Sequence, residues 1–290
     1  MANGHASEQR RRGAKEKVVS DSDSDKVFGG SIPKLYEEYL VPLIFEPYAL
    51  DLARRVASRS SARVLEIAAG TGVLTRQLAS ALAPGAAIVA TDLNQPMLDL
   101  AAAIGTPRPV EWRQADALRL PFDDASFDAV VCQFGVMFFP DKAGAFAQAR
   151  RVLRAGGVLI FNVWDRIEEN EFADIVTTAL ASVFPNDPPR FMARTPHGYH
   201  DLDTIAADLK AGGFDAPADV ATVAARSRAG SARIAAIAYC QGTPLRSEIE
   251  ARDKARLGEA TDIAAAALAR RYGPGPLDGK IQAHVISVAG

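Results

Sequence analysis

Short apolar runs alternate with segments of helical periodicity from about residue 62 onward. Continuous or alternating apolar runs predict strands, which lie at 62–68, 86–92, 109–116, 127–136 and 157–165. Apolar residues three to four positions apart predict helices between them, which lie at 72–83, 94–104 and 141–157. Asn94 and Asp141 are placed to cap two of these helices. Strands separated by helices of this length form βαβ units, so the pattern predicts an α/β fold with a parallel sheet covered on both faces.

The second half of the chain has a different pattern. Helical patterns at 171–184 and 202–214 flank a Pro-rich loop at 185–201. Strand patterns at 218–228 and 280–290 enclose a mostly helical block at 230–272, which is interrupted near QGTP. The Ala-rich composition of this block fits plain scaffold and also fits a lid over a ligand cleft, and we favour the lid.

A loop of small residues follows the first strand. In VLEIAAGTGVLTRQLA, residues 64–79, Glu66 precedes a loop that contains Gly70 and Gly72. Glycines let the backbone approach a ligand closely, and the helix that follows offers free N–H groups. Asp92 ends the second strand at the same edge of the sheet, where ligands bind in such folds and where an acid can accept hydrogen bonds from a ribose. The pattern indicates a nucleotide-type ligand.

The loop differs from a dinucleotide fingerprint. Thr75 stands where G-x-G-x-x-G has its third glycine. A carboxylate at Glu66 would repel a pyrophosphate but suits a cationic ligand that bears an amino group. These features favour S-adenosylmethionine over NAD.

Composition excludes several classes of protein. The chain has 290 residues, 48% hydrophobic and 23% charged, enough for one large domain with a sizeable core. Its 33 Lys and Arg against 35 Asp and Glu give a net charge of -2, so no basic field favours nucleic acid. Cys132 and Cys240 form no disulfide framework, which makes the reducing cytoplasm the expected location. No apolar run is long enough to cross a bilayer, and the four histidines lack metal-ligand spacing, so no metal is expected.

The N-terminal region changes character near residue 26. Residues 1–26 are polar, charged and nearly free of large apolar side chains, which predicts a disordered tail. The arginines at 10–12 are followed by no apolar segment, so the tail does not match an export signal. The next segment, 27–58, is strongly apolar and aromatic and predicts helices that cap the sheet.

Four motifs occur in order between residues 62 and 165: LEIAAGTG, VATDLNQPML, WRQADALRLPFDDASFDAVVCQFGVMFFPD and RRVLRAGGVLIFNVW. Together they resemble the motifs of class I S-adenosylmethionine-dependent methyltransferases, and most closely the ubiquinone/menaquinone-biosynthesis type of small-molecule methyltransferase. The resemblance implies a Rossmann-like, doubly wound, mostly parallel seven-stranded sheet with helices on both faces and a helical lid. One methyltransferase domain is then expected at 27–290, with a cofactor-binding core at 62–165 and helical cap elements at 27–58 and 230–272.

The resemblance implies S-adenosylmethionine as cofactor, with S-adenosylhomocysteine as product. The glycine loop, residues 68–72, would lie against the methionine moiety, and Glu66 would orient its amino group. Asp92 would bind the ribose, and Asp116 would accept a hydrogen bond from the adenine; as an alternative, both could be solvated acids at strand ends. The residues implied to bind the cofactor are Glu66, Ala68, Gly70, Gly72, Asp92, Leu93, Met97, Ala115, Asp116, Ala117, Gln133 and Phe134.

One of these residues departs from the family. Where the family usually has glycine two positions after the acid, this chain has Ala68, whose methyl group is expected to crowd the loop. Leu93 and Met97 could also be plain core residues.

Methyl transfer from a sulfonium requires chiefly that nucleophile, methyl group and sulfur are held in line. A base is needed only if the acceptor carries a proton that must leave. By residue type alone the catalytic candidates are Tyr36, Tyr39, His197 and His200, with Tyr199 between the histidines. The alternative for both histidines is a surface loop without a role.

The expected partner is a small-molecule methyl acceptor. The aromatic residues of 27–58 and of the QFGVMFFPD loop favour an apolar or aromatic one. Two other functions stay open on the sequence: a nicotinamide-dependent oxidoreductase, and a non-catalytic protein that binds S-adenosylmethionine.

Overall fold

The computed structural model of this chain describes Asp25 and residues 28–290. The tail predicted at 1–26 therefore lies outside the described residues, apart from Asp25, which is buried. Among the helices that the structure describes, none has the length and apolar character of a membrane span.

Seven strands form one sheet, as predicted. They are β1 Arg63–Ile67, β2 Ala87–Asp92, β3 Glu111–Gln114, β4 Phe127–Gln133, β5 Leu153–Trp164, β6 Asp219–Ala229 and β7 Leu277–Ala289. Their order is β3-β2-β1-β4-β5-β7-β6, and β7 alone runs antiparallel to its neighbours. The order reverses between β1 and β4, which is the place where ligands bind in doubly wound sheets. The mostly parallel, Rossmann-like prediction is confirmed.

Helices cover both faces of the sheet. They are α1 Ile32–Leu35, α2 Glu46–Ala57, α3 Val73–Ala81, α4 Gln95–Ile104, α5 Lys142–Val152, α6 Glu171–Val183, α7 Phe191–Arg194, α8 Leu202–Ala211, α9 Ala232–Gln241, α10 Leu245–Asp253 and α11 Leu257–Tyr272. Short 3-10 turns lie at Val136–Phe138, Ile167–Glu169 and Lys254–Arg256.

Two local predictions need correction. The helix predicted at 141–157 ends at Val152, because Leu153 is buried and pairs with Phe127 as the first residue of β5. Asn94 precedes α4 but makes no capping hydrogen bond, since its side-chain oxygen accepts the backbone N–H of Phe28 at 3.3 Å. The cap predicted at Asp141 is present, with Gly144 N–H donating to its carboxylate at 2.8 Å.

A π-helix, Tyr36–Phe45, joins α1 to α2. It contains Pro42, which lacks an N–H and whose ring would clash with a carbonyl of the preceding turn in an α-helix. The wider π turn fits this residue and is often found at functional sites. We call residues 28–45 the N-terminal strap.

The strap is tied to the sheet domain by polar contacts. Glu37 forms an ion pair with Arg76 of α3 at 2.7 Å. The side-chain amide of Gln133, at the end of β4, donates to the carbonyl of Phe45 at 3.3 Å. These contacts place the strap across the carboxyl edge of the sheet.

The helical block at 230–272 divides into two parts. Helix α9 packs against the π-helix of the strap, whereas α11 packs against α6 and α9. Within this block, only Tyr239 near the end of α9 and Thr243 and Pro244 in the break after it reach the cavity described below. The lid proposed for the whole block is therefore narrowed to the end of α9 and this break.

Candidate active site

One cavity lies between the carboxyl edge of the sheet and the strap. Its empty volume, including the open mouth, is about 1100 Å³. It is lined by residues at or just after the ends of β1, β2, β3, β4 and β5, by the strap, by α7, and by the end of α9 with the break after it. This is the position and scale of a small-molecule site in a fold of this kind.

Ten of the twelve residues predicted to bind the cofactor line this cavity. They are Ala68, Gly70, Asp92, Leu93, Met97, Ala115, Asp116, Ala117, Gln133 and Phe134. The structure brings these residues together from four separate loops. Glu66 and Gly72 do not line the cavity and lie behind it.

The glycine loop connects β1 to α3. Gly70 and Gly72 have φ values of 56° and 83°, in the left-handed region that favours glycine. A Cβ at Gly72 would meet the Trp112 ring at 3.0 Å and the Ala101 methyl group at 3.2 Å. Gly72 therefore serves the turn and the packing beneath the loop rather than contact with a ligand.

Asp92 joins the ends of β1 and β2. Its carboxylate accepts the N–H of Gly70 at 2.9 Å and the N–H of Asn94 at 2.8 Å. Burial raises the pKa of Asp92, while these hydrogen bonds lower it. The carboxylate is thus held rigidly at the cavity wall with lone pairs left for a ligand.

Ala68 also adopts the left-handed conformation, with a φ of 56°. This is costly for a residue with a Cβ. The crowding expected from its methyl group is accommodated by Gly135, where an added Cβ would lie 2.5 Å from that methyl group and 2.7 Å from Cys132 Sγ. Ala68 and Gly135 therefore form a matched pair.

Phe134 is the second left-handed residue with a side chain at this edge, with a φ of 51°. Its N–H donates to the side-chain oxygen of the fully buried Asn162 at 2.9 Å. Its ring stacks on Trp164 with centroids 3.8 Å apart and planes 5° apart. The two rings form a rigid apolar floor between β4 and β5.

Glu66 is only 1% exposed and contacts Thr75 Oγ1 at 2.6 Å. Burial raises its pKa to about 8, and the negative charge of Asp92 acts in the same direction. The Thr75 hydrogen bond and the Arg76 charge lower it only partly. Glu66 is therefore a buried support beneath the glycine loop, and no direct contact with a ligand is open to it in this arrangement.

Among the catalytic candidates, Tyr36 alone lines the cavity. Burial, then the charges of Asp92 and Glu37, raise the pKa of its hydroxyl. A phenol with a raised pKa stays protonated at neutral pH. Tyr36 can therefore donate a hydrogen bond but cannot serve as a base. Tyr39 and Tyr199 lie outside the cavity wall.

The two histidines of the Pro-rich loop are also outside the cavity wall. His197 is buried, and its Nδ1 lies 2.8 Å from the Asp165 carbonyl, which can only accept, so Nδ1 carries the proton. Burial lowers the pKa of His197 to about 4, so the ring is neutral. His200 Nδ1 contacts the His197 carbonyl at 2.9 Å. His197 therefore ties the loop to the residue after β5, and His200 contacts the loop itself.

Several wall residues were not identified from the sequence. They are Trp164, Phe191, Met192, Tyr239, Thr243 and Pro244. Trp164 ends β5 and could have been found from its position at a strand terminus. The others come from α7, from the end of α9 and from the break after it, and no local pattern connects those segments with the cavity.

The cavity wall is poor in charge. Its ionisable side chains are Asp92 and Asp116, on the side of the glycine loop, and Tyr36 and Tyr239. Among the described residues of this wall there is no lysine, arginine or histidine. Within residues 25 and 28–290, no group of three or more His, Cys, Asp or Glu side chains could hold a metal ion.

Known proteins with similar sequences are methyltransferases. A family model described as "Methyltransferase domain" matches residues 65–161. The ubiquinone/menaquinone biosynthesis C-methyltransferase UbiE of Stutzerimonas stutzeri is 30% identical over 185 residues, which cover 59% of this chain and 71% of that protein. Curated relatives of the same name are matched over 66% to 79% of their own length.

Solved structures share the fold. YcgJ from Bacillus subtilis superimposes with a TM-score of 0.54 at 18% identity, covering 84% of this chain and 98% of that one. Phosphoethanolamine N-methyltransferase 2 of Haemonchus contortus, solved with S-adenosyl-L-methionine, gives 0.51 at 19% identity, covering 84% and 52%. At this identity the likeness concerns the fold alone.

The Ala68 and Gly135 pair yields a prediction about stability. Ala68→Gly should stabilise the fold by up to about 1 kcal/mol, because it relieves left-handed strain at a modest entropic cost. Gly135→Ala should destabilise it by about 1–3 kcal/mol through overpacking. Urea unfolding of both variants and of the double variant should show that Ala68→Gly rescues part of the loss, and strictly additive effects would contradict the pairing.

Glu66 yields a prediction about pH. The folded chain holds its proton up to a pKa of about 8, whereas the ordinary value is 4.5. Between these values the folded state binds more protons, so this group makes the free energy of unfolding fall as pH rises. Glu66→Gln cannot ionise, so its stability relative to the wild type should increase between about pH 5 and about pH 8 in urea unfolding.

Asp128→Asn provides the control for this measurement. Although burial opposes it, the Arg154 side chain and the N–H groups of Arg63 and Ala62 hold the pKa of Asp128 below its usual range. Asp128 is therefore ionised in both states across that pH interval, and its variant should differ from the wild type by a constant amount. A constant difference for Glu66→Gln as well would contradict the buried, protonated acid.

Proposed function

Since this chain belongs to the class I S-adenosylmethionine-dependent methyltransferases, we propose that its acceptor is a small, uncharged, apolar or aromatic molecule and that the residues of the cavity divide into a cofactor end and an acceptor end. The methyl donor is S-adenosylmethionine, which supplies a methyl group already activated on a sulfonium. Neither alternative considered on the sequence, a nicotinamide-dependent oxidoreductase or a non-catalytic binding protein, gains support from the comparisons.

The residues at the cofactor end fit this donor. Asp92 presents a carboxylate at the wall that two backbone N–H groups hold in place, and it would accept from the ribose hydroxyls. Asp116 is exposed to the cavity mouth and would accept from the adenine amino group. Leu93 and Met97 would provide apolar contact for the adenine ring, with Ala115 and Ala117 beside it.

The methionine end would lie along the glycine loop. The backbone of residues 68–70 lines the cavity there, opposite Gln133 and Phe134. Gln133 is nine-tenths buried, and its Oε1 has no partner among the described residues. Its amide orientation is set because only the NH2 group can donate to the Phe45 carbonyl. The free Oε1 is therefore available to a donor group of the ligand once side chains at the wall adjust.

The acceptor end is apolar, and this single observation carries the proposal for the acceptor. Aromatic rings of Phe28, Phe45, Phe138, Trp164 and Phe191 surround it. An anionic acceptor would lose its hydration without meeting a cation, which costs several kcal/mol. The relatives are named for C-methylation in ubiquinone and menaquinone biosynthesis, which supports an aromatic acceptor for this chain too.

The catalytic contribution of the chain is proximity and exclusion of water. Within the part of the chain that the structure describes, no histidine or lysine lines the acceptor end, and Tyr36 stays protonated. The acceptor therefore brings a nucleophilic atom that is already electron-rich. The strap and α7 exclude water, and the Phe134–Trp164 floor holds the acceptor in line with the methyl group.

Both cysteines are buried free thiols, which supports the cytoplasm as the proposed location of the enzyme.

Binding of the cofactor product tests the cofactor end. Asp92→Ala should weaken S-adenosylhomocysteine by roughly 1.5–3 kcal/mol, the range for hydrogen bonds to a charged group. Calorimetric titration of purified protein measures it directly. Asp99→Ala is the matched control, because Asp99 is an exposed acid on the neighbouring α4 that does not line the cavity. Equal affinities for wild type and Asp92→Ala, both folded, would contradict the assignment.

A pair of probes tests the acceptor end. 2-Naphthol and 6-hydroxy-2-naphthoate share one aromatic ring system, and the second adds a carboxylate. Titrated into protein saturated with S-adenosylhomocysteine, the anion should bind at least about tenfold more weakly, because no cation in the wall compensates its charge. Equal or tighter binding of the anion would refute the uncharged acceptor.

A further inference from the structure

Arg194, the last residue of α7, connects three elements around the acceptor end. Its Nη1 donates to Glu248 of α10 at 2.8 Å. Its Nη2 donates to both carboxylate oxygens of Asp25, at 2.8 and 3.0 Å, and its Nε adds a longer contact at 3.3 Å. Thr195 Oγ1 donates to the same carboxylate. Asp25 is therefore held by four donor contacts, although it lies just ahead of the strap.

Glu248 fixes the other end of α7. Its second oxygen accepts the N–H groups of Arg190 and Phe191, at 2.9 and 2.8 Å. The helix between these contacts is a single turn, and it presents Phe191 and Met192 to the cavity. The carboxylates of Asp25 and Glu248 and the guanidinium of Arg194 thus fix the position of α7, which forms this part of the acceptor wall.

Aromatic contacts continue this connection into the strap. Phe28 packs edge-to-face on Tyr36 and on Phe138, with centroids 6.0 and 5.9 Å apart. Phe138 in turn lies 6.3 Å from Phe191 of α7. The strap, the loop after β4 and α7 therefore meet as one aromatic seam, directly beside the ion contacts of Arg194.

The two carboxylates are well buried, with Asp25 4% and Glu248 8% exposed. Buried carboxylates are stable only when a cation and hydrogen bonds compensate them. Arg194 is the cation shared by both, and its bidentate contact with Asp25 is the geometry in which arginine binds most firmly. The strap itself has an ion pair, Glu37–Arg76, at the cofactor end, and this pair shares no residue with the Arg194–Asp25 contact.

We propose that Asp25, Arg194 and Glu248 form a latch that holds the strap against α7 and closes the acceptor end of the cavity. Arg194 is a positioning residue: it acts on the acceptor through Phe191, Met192 and Phe28, without a place in the wall itself. Opening the latch would separate the strap from α7 while the Glu37–Arg76 pair keeps the cofactor end in place. Asp25 thereby contributes to closure of the acceptor site from outside its wall. The role assigned to this end rests on the proposed function.

Tryptophan fluorescence can report the state of the latch. The chain has two tryptophans, Trp112 and Trp164, and Trp164 is 4% exposed in the cavity wall. In a Trp112→Phe background, quenching by acrylamide measures access to Trp164 alone. Asp25→Ala should increase the quenching constant about threefold or more, as expected where an open state becomes populated. The affinity for S-adenosylhomocysteine should stay within about twofold.

Two further variants complete the test. Arg194→Ala should increase quenching at least as much as Asp25→Ala. Because Arg194→Ala leaves the buried carboxylates of Asp25 and Glu248 without Arg194 as their cation, that variant could fail to fold. Asp25→Ala leaves the Arg194–Glu248 pair intact and then carries the test by itself. Arg256 lies in the helical block 230–272, outside the latch, and contacts Glu259 and the Val183 carbonyl; Arg256→Ala should therefore leave quenching unchanged. Unchanged quenching in Asp25→Ala, or an equal increase in Arg256→Ala, would overturn the latch. Failure of the wild type to bind S-adenosylhomocysteine would instead overturn the proposed function.

Discussion

The cavity depends on two neighbouring strands that both end in left-handed residues carrying side chains. Ala68 after β1 and Phe134 after β4 turn the chain sharply at the place where the sheet order reverses. Such conformations persist only where the surroundings hold them, and they cluster at functional sites. Here Gly135 leaves room for the Ala68 methyl group, and Asn162 holds the Phe134 N–H. If either support were lost, the left-handed turn that it holds would be strained or would lose a buried hydrogen bond.

Charge and aromatic rings are separated along the cavity. The acids lie on the side of β2 and β3, where a ligand with hydroxyl and amino groups finds acceptors. The strap, α7 and Trp164 supply rings on the other side. Under the proposed function, this separation would let one continuous cavity bind a charged donor and an apolar acceptor without a dividing wall, because each part would solvate its own ligand.

The features that could be predicted from the sequence are those that a local pattern of residues determines. The glycine loop, Asp92 at the end of β2 and the alternation of strands and helices each depend on residues that are close in the chain, so period and spacing identify them. The sheet was predicted to be mostly parallel, and the antiparallel direction of its final strand was not identified from the sequence. Ten of the twelve cofactor residues reached the cavity wall, while their roles stay predictions.

The rest required contacts between distant segments. Asp25 and Arg194 are 169 positions apart, and no periodicity links them. His197 had the right residue type for a base, yet its environment turned it toward the Asp165 carbonyl. Glu66 stood before the expected loop, but burial against Thr75 removed it from the cavity wall. In each case solvation and partners in three dimensions decided the role, and residue type alone did not.

The winding of the π-helix determines in which direction the side chains of Phe28 and Tyr36 point around the helix axis. In an α-helix each residue advances the chain by about 100°, since 3.6 residues complete a turn, and a π turn advances it by less. Tyr36 and Phe45 stack with centroids 5.1 Å apart across this element. Removing one residue and restoring α-helical winding would swing Tyr36 and Phe28 around the helix axis, away from the sheet edge. The number of residues in the π-helix therefore determines which side chains of the strap face the cavity, as much as the identity of those residues does. A relative with one residue fewer in this helix would present different side chains to the same cavity.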